Sequence, residues 1–324
     1  MPEWLIEAGI AEHRAIQLDG ARITAARMDW PGPLSAGQVE DAVLATRTAG
    51  SPRGTARFAS GVLALVNRLP PDASPGRALR LEVTRAAMAE QGRNKLAQAR
   101  LSTMPPRPAL TLAEQLSNAG HTARTVRRFP ACDWDELWDE AFDGQISFAG
   151  GALHIAPTPA MTVIDIDGDL RGAALASAAV PVIGQAIARF DLGGNIAIDF
   201  PTLEAKADRR MIDTALTDAL DHWPHERTAM NGFGLVQLVA RLTAPSLLHR
   251  LQFHRAAAAA RRLLRQAEAV EQAGTLLLTC HPAVAEALMP DWLEQLARRT
   301  GRTCTVKPEP RLALAAGFAQ AVTP

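Results

Sequence analysis

The chain has 324 residues, enough for two or three domains and a sizeable core, which excludes peptide-scale and purely fibrous readings. Lysine plus arginine number 34 and aspartate plus glutamate 34, so no global positive field draws in nucleic acid, and any such binding uses local patches. The 3 cysteines, Cys132, Cys280 and Cys304, are too few and too far apart for a disulfide framework or a Cys-x-x-Cys clip. A reducing cytoplasm is the expected compartment. No basic segment precedes an apolar run at the N-terminus, and no apolar stretch nears the ~20 residues of a membrane span.

The opening reads as strand, turn, strand: 4–8, 14–18, the turn pair Asp19-Gly20, then 21–25. Residues 37–102 carry short β-like runs, among them 62–66 and 79–83, broken by Pro70, Pro71, Pro75 and Gly76, a spacing that suits a small barrel. The proline-rich stretch 104–108 predicts a linker, and 110–118 a helix. An acidic helix start at Asp133 precedes strands on either side of Pro157 and Pro159, then a strand over 163–167. An alanine-rich helix over 175–190, a Gly193-Gly194 stop and a strand over 195–200 follow, which is the strand, helix, strand unit of an α/β core. Helices are predicted over 202–223 and 233–242, a single basic helix through Arg250, Arg255, Arg261, Arg262 and Arg265, and a small α/β unit at the end.

Candidate chemistry centres on 161–170. Residues i and i+2 of a strand share a face, so Asp165 and Asp167 project together while Ile164 and Ile166 point inward. Paired carboxylates repel unless a cation sits between them, and hard oxygen ligands favour Mg²⁺ or Mn²⁺ over zinc. A solvated strand end is the alternative. Asp199 ends the next strand, and adjacent parallel strands would bring it to the same sheet edge as Asp165. Metal-assisted phosphoryl chemistry requires such an arrangement; a cap or turn role for Asp199 alone stays open. Asp165-Ile-Asp-Gly168 is also similar to the first motif of haloacid-dehalogenase-type phosphohydrolases, a minor alternative. The 8 histidines lack neighbouring cysteine or carboxylate partners and read as surface or capping residues rather than zinc ligands.

Several stretches in order carry a resemblance: 4–6 through 16–22; Gly92-Arg-Asn-Lys-Leu-Ala97; Ala141-Phe142; 148–151 through 162–167; Phe190-Asp-Leu-Gly-Gly-Asn-Ile-Ala-Ile-Asp-Phe200; Phe233-Gly-Leu-Val236; Pro245-Ser-Leu247; and 256–308. On these the chain resembles bacterial endoribonucleases of the ribonuclease E/G family. The resemblance implies an α/β fold of mixed α+β character. A ribonuclease-H-like part (1–36 and 103–140) holds an inserted S1-like OB barrel (37–102). A deoxyribonuclease-I-like catalytic subdomain (141–250) and a small C-terminal α/β domain used in self-association (251–324) complete it. Asp165 and Asp199 fall on the family's metal-binding catalytic aspartates, and Asp167 where the family has an orienting asparagine. Lys95 and Arg93 fall in the RNA-contacting end of the S1 domain, and Phe58 near its stacking phenylalanine. The implied activity is Mg²⁺-dependent hydrolysis of single-stranded RNA to leave 5′-phosphate ends.

The departures shape that expectation. Only 103–140 is available for the family's 5′-phosphate-sensing region, so 5′-monophosphate sensing is not expected. No cysteine lies between Leu247 and Ala256, where the family's zinc link falls, so no zinc is expected. The family's Asn-Leu-Glu-Ala run is replaced by Ala176-Ser-Ala-Ala-Val-Pro181, and its arginine before Phe233 by Gly232. A catalytically impaired RNA-binding or scaffold protein of the same fold is therefore the rival reading.

Overall fold

The structure, a computed structural model, describes residues 3–32, 34–90 and 93–323, without the side chains of Glu90 and Arg93. Strands β1 (Trp4–Ala8), β2 (His13–Asp19) and β3 (Arg22–Asp29) form an antiparallel meander around the Asp19-Gly20 turn. Next come β4 (Val39–Arg47), β5 (Gly54–Arg57), β6 (Leu63–Val66) and β7 (Ala78–Arg85). After the short hairpin β8 (Met88–Glu90) and β9 (Arg93–Lys95), β10 (Ala97–Leu101) closes a five-stranded barrel in the order β10-β6-β5-β4-β7. Its interior takes every second residue, Ala42 and Leu44, Ala64 and Val66, Leu81 and Val83, the period-2 pattern of a strand with one dry face.

The proline-rich stretch is pinned rather than free, because Arg107 pairs its backbone with Val39 at 2.9 and 3.0 Å. Helix α1 (Leu112–Asn118) starts on a capping box in which Thr111 and Glu114 satisfy each other's amides. β11 (Ala123–Val126) then runs parallel to β1, completing a sheet in the order β11-β1-β2-β3.

The largest unit begins at α2 (Trp134–Asp143) and continues with β12 (Gln145–Phe148), β13 (Gly151–Pro157), β14 (Thr162–Gly168), α3 (Ala173–Arg189), β15 (Gly194–Asp199), α4 (Lys206–Leu220), β16 (His225–Arg227) and β17 (Leu235–Ala240). The sheet order is β12-β13-β14-β15-β17-β16, with only β14 and β15 parallel. Residues 233–242, predicted as a helix, are instead a turn and β17. Val236 and Leu238 are buried while Leu235, Gln237 and Val239 are exposed, so the period is 2 and not 3.6. The apolar stripes of α2, α3 and α4 cover one sheet face, and Trp138, Ile183 and Leu216 meet Leu153, Ile164, Ile198 and Leu238 in one core. Ile16 and Ile23 of the N-terminal sheet join the same core, so the two sheets are packed through it.

The predicted single basic helix is two, α5 (Leu247–Phe253) and α6 (Arg255–Glu268), broken at His254. Its arginines do not form a solvated basic face: Arg250 pairs with Asp29, Arg262 with Asp135 and Asp139, and Arg265 with Glu7 and Glu12. β18 (Thr275–Cys280), α7 (Pro282–Ala287), α8 (Pro290–Thr300), β19 (Cys304–Pro308) and β20 (Phe318–Val322) close the chain, with the sheet order β19-β18-β20. Among the described residues no helix is long and apolar enough to cross a membrane.

Candidate active site

The face of the six-stranded sheet opposite its helices carries one row of side chains set by strand register. Gln145 is paired with His154, His154 with Asp165, Asp165 with Asp199, and Asp199 with Leu235. Residues directly opposite in neighbouring strands share a face with Cβ atoms about 4.5–5.5 Å apart, and all five of these are exposed. The two aspartates are thus side-by-side neighbours on the one parallel strand pair of the sheet.

Local sequence explains the presentation. In β14, Ile164 and Ile166 are buried and Asp165 and Asp167 exposed. In β15, Ile196 and Ile198 are buried and Asp199 is exposed. The connecting helix turns Ala176, Ala179, Ile183 and Ala186 inward, all fully buried, and alanines let a helix approach a sheet closely. Arg189 at the end of that helix reaches Glu140 of α2 at 2.8 Å, fixing α3 against its neighbour. Burial pushes the Glu140 carboxyl above its usual range, against the pull of Arg189. One oxygen of Asp165 accepts from the Ile166 amide at 3.0 Å.

Asp167 lies two residues beyond Asp165 and opposite Ala152, where β14 outruns β15. Asp165 is therefore inside its strand rather than at the end, as the sequence suggested, while Asp199 does end β15. A side chain on Gly168 would place its Cβ 2.2 Å from the Gly150 carbonyl oxygen, so glycine is required for β13 and β14 to close beside Asp167. Among the described residues Asp165, Asp167 and Asp199 have no basic partner, the ion pairs nearest in sequence being Arg27 with Asp191 and Arg189 with Glu140. No three His, Cys, Asp or Glu side chains among the described residues converge as a preformed metal cage.

The chain after Asp199 is held firmly. Phe200 and Leu203 are buried, and Arg209 donates to the carbonyls of Leu203 and Glu204. The Phe200 amide donates to the Gly234 carbonyl at 3.3 Å, tying the turn before β17 to the end of β15.

The predicted RNA-contacting residues lie elsewhere. Phe58 is 2 % exposed and packs inside the barrel with Leu44 and Val66, so it is a core residue and offers no ring face for stacking. Lys95 is half-buried, and its Nζ donates to the Pro159 carbonyl at 3.2 Å, joining the β8–β9 hairpin to the loop between β13 and β14. Arg93 has its backbone in β9, while its side chain lies outside the described residues, as does Gly92. His154 and Gln145 were not singled out from the sequence. The only available signal was the exposed phase of their strands, and pairing with Asp165 is a property of register.

Among models of known protein families, the Ribonuclease E/G family matches residues 111–241. The matched stretch runs from α1 through β17 and contains both strands of the Asp165–Asp199 pair and the helix between them. Over this stretch, which carries the aspartate pair, the chain is similar to the ribonuclease E/G family.

Proposed function

We propose that the chain is an endoribonuclease that hydrolyses single-stranded RNA with the help of Mg²⁺ or Mn²⁺ and leaves 5′-phosphate ends. The observation that carries this reading is the register pairing of Asp165 with Asp199 on an open sheet face. The family match over residues 111–241 supports endoribonuclease activity; metal, product ends and residue roles are our inference.

The donor set suits a hard divalent cation. Two unpaired carboxylates on adjacent strands, without a third preformed ligand, leave coordination positions for water and phosphate oxygens, the pattern Mg²⁺ favours. Asp165 and Asp199 would hold the ion, and Asp167 would orient or supplement them. Bound there, the cation supplies Lewis-acid polarisation of the phosphate and lowers the pKa of a coordinated water. The rest falls to the protein. Asp165 has one oxygen held by the Ile166 amide and is exposed on the open face. The core beneath fixes both carboxylates before substrate arrives. In the overall reaction water adds to phosphorus and the bond from phosphorus to the 3′ oxygen breaks, which leaves a 5′-phosphate and a 3′-hydroxyl.

The five-stranded barrel takes the part of an S1-like domain. The sheet that includes β11 takes that of the ribonuclease-H-like part, and the six-stranded unit that of the deoxyribonuclease-I-like subdomain. A labelled single-stranded RNA bearing a 5′-triphosphate or 5′-monophosphate, incubated with Mg²⁺ or EDTA, tests the proposal. Metal-dependent internal cleavage is expected at equal rates on the two ends, with Asp165→Asn and Asp199→Asn each slower by about a hundredfold or more and still folded by circular dichroism. Full activity in both variants would refute the assignment. Binding without cleavage by the unaltered chain would favour the scaffold reading, which the glycine at Gly232 supports.

A further inference from the structure

Beside the aspartate pair the chain displays an aromatic ring to solvent: Phe233 is 84 % exposed, the most exposed large apolar side chain among the described residues. A single exposed apolar residue needs no explanation by itself; the construction of this turn does. The Asn231 side-chain oxygen accepts from the Phe233 amide at 2.9 Å and the Leu235 amide at 3.1 Å. The Asn231 amide donates to the Leu235 carbonyl, and the Gly234 amide to the Asn231 carbonyl. Upstream, Asp213 accepts from Arg227 and from the Met230 amide. The turn is hydrogen-bonded through itself, bonded to the Phe200 amide that follows Asp199, and holds the Phe233 ring out in solvent. Leu235, two residues on, is the register neighbour of Asp199 and is 40 % exposed.

Resting on the ribonuclease reading, we propose that Phe233 is a positioning residue: its ring stacks on a base of the single-stranded RNA and places the adjoining phosphate over Asp165 and Asp199. Every base has a π face, so a rigidly mounted ring binds single strands without reading sequence. The row then has a direction. An apolar edge, Phe233 and Leu235, lies on the Asp199 side, and a polar edge, His154 and Gln145, on the Asp165 side. A strand laid across the row has its stacked nucleotide on one side of the scissile phosphate and a hydrogen-bonded one on the other. The ring also takes the place that a buried Phe58 cannot fill.

The test uses the full chain carrying Asp165→Asn, so that cleavage does not intervene, and fluorescence anisotropy of a labelled oligouridylate in Mg²⁺. Phe233→Ala and Phe233→Leu are expected to weaken binding roughly 5- to 150-fold, and Phe233→Trp to restore it, with unfolding midpoints unchanged because the ring is solvated. An abasic nucleotide scanned through the RNA is expected to cost affinity at one position in the parent and nothing further there in Phe233→Ala. Equal RNA affinity for Phe233→Ala, or parent-like affinity for Phe233→Leu, overturns the stacking role while the nuclease reading stands. No RNA binding by the parent removes that reading and the stacking role with it.

Discussion

At the scale of single residues, the two glycines flanking Phe233 are not equivalent. A Cβ on Gly232 meets nothing within 4 Å, whereas Gly234 has φ +91° and its Cβ would lie 2.6 Å from the Phe200 carbonyl oxygen. Gly232 can therefore take a side chain. Gly232→Arg is expected to fold normally, to raise RNA affinity, and to steepen the dependence of log affinity on log salt by about one phosphate contact. Anisotropy titrations across a salt series measure this, and an unchanged slope would show that position 232 does not face RNA. The histidines divide by context in the same way. His281 caps α7 and His249 bonds Ser246, as surface or capping residues do, whereas register places His154 next to Asp165.

At the scale of elements, the site depends on how tightly β15 and the turn before β17 are coupled. Gly234→Ala forces a left-handed backbone onto a residue with a Cβ and drives that atom into the chain just after Asp199. A loss of about 1–3 kcal/mol is expected, with activity falling further than stability because Phe233 and Asp199 move together. Gly232→Ala, two residues earlier in the same turn, should stay within about 0.5 kcal/mol of the parent. Urea unfolding of the pair separates strain from ordinary turn tolerance, and equal midpoints would show that the contact is not tight in solution. The same coupling explains why β17 is a strand. Its pairing with β15 satisfies the backbone, and alternate burial follows from covering the sheet on one face only.

At the scale of the whole molecule, arginine richness reads differently in three dimensions. Any nucleic-acid binding was expected to use local basic patches, yet Arg14, Arg189, Arg227, Arg250, Arg262 and Arg265 are engaged by carboxylates within the fold. The densest cluster joins the N-terminal sheet to α6. Glu7 meets Arg14 at 3.0 Å and also Arg265, and Glu12 meets Arg265 at 3.3 Å. The Arg14 guanidinium lies over the rings of both Phe129 and Trp134. Burial, with the neighbouring Arg265, brings its guanidinium down to about 10, and Glu7 and Glu12 oppose that shift. Glu7→Gln leaves two buried cations sharing one carboxylate. A loss of about 3–5 kcal/mol in urea unfolding is expected, although the residue is remote from Asp165. A loss below 1 kcal/mol would show the cluster to be solvated.

Strand identity, hairpin turns and the acidic pair were legible in the sequence because they depend on local periodicity and turn chemistry. Ile164 and Ile166 must point opposite to Asp165 and Asp167 in any strand, and a strand, helix, strand unit brings Asp199 alongside. The linear pattern carried less about elements of ambiguous period, and residues 233–242 were misread because a short apolar run fits either helix or strand until a partner is specified. Register was beyond it too. That His154, Asp165, Asp199 and Leu235 lie in one line depends on which residues pair across four strands. Burial by distant segments likewise put Phe58 inside the barrel and drew Arg262 and Arg265 of α6 onto carboxylates far away in the chain. Chemistry carried by neighbouring residues was determined by the sequence; which side chains face solvent together was decided only when long-range pairing and packing closed the fold.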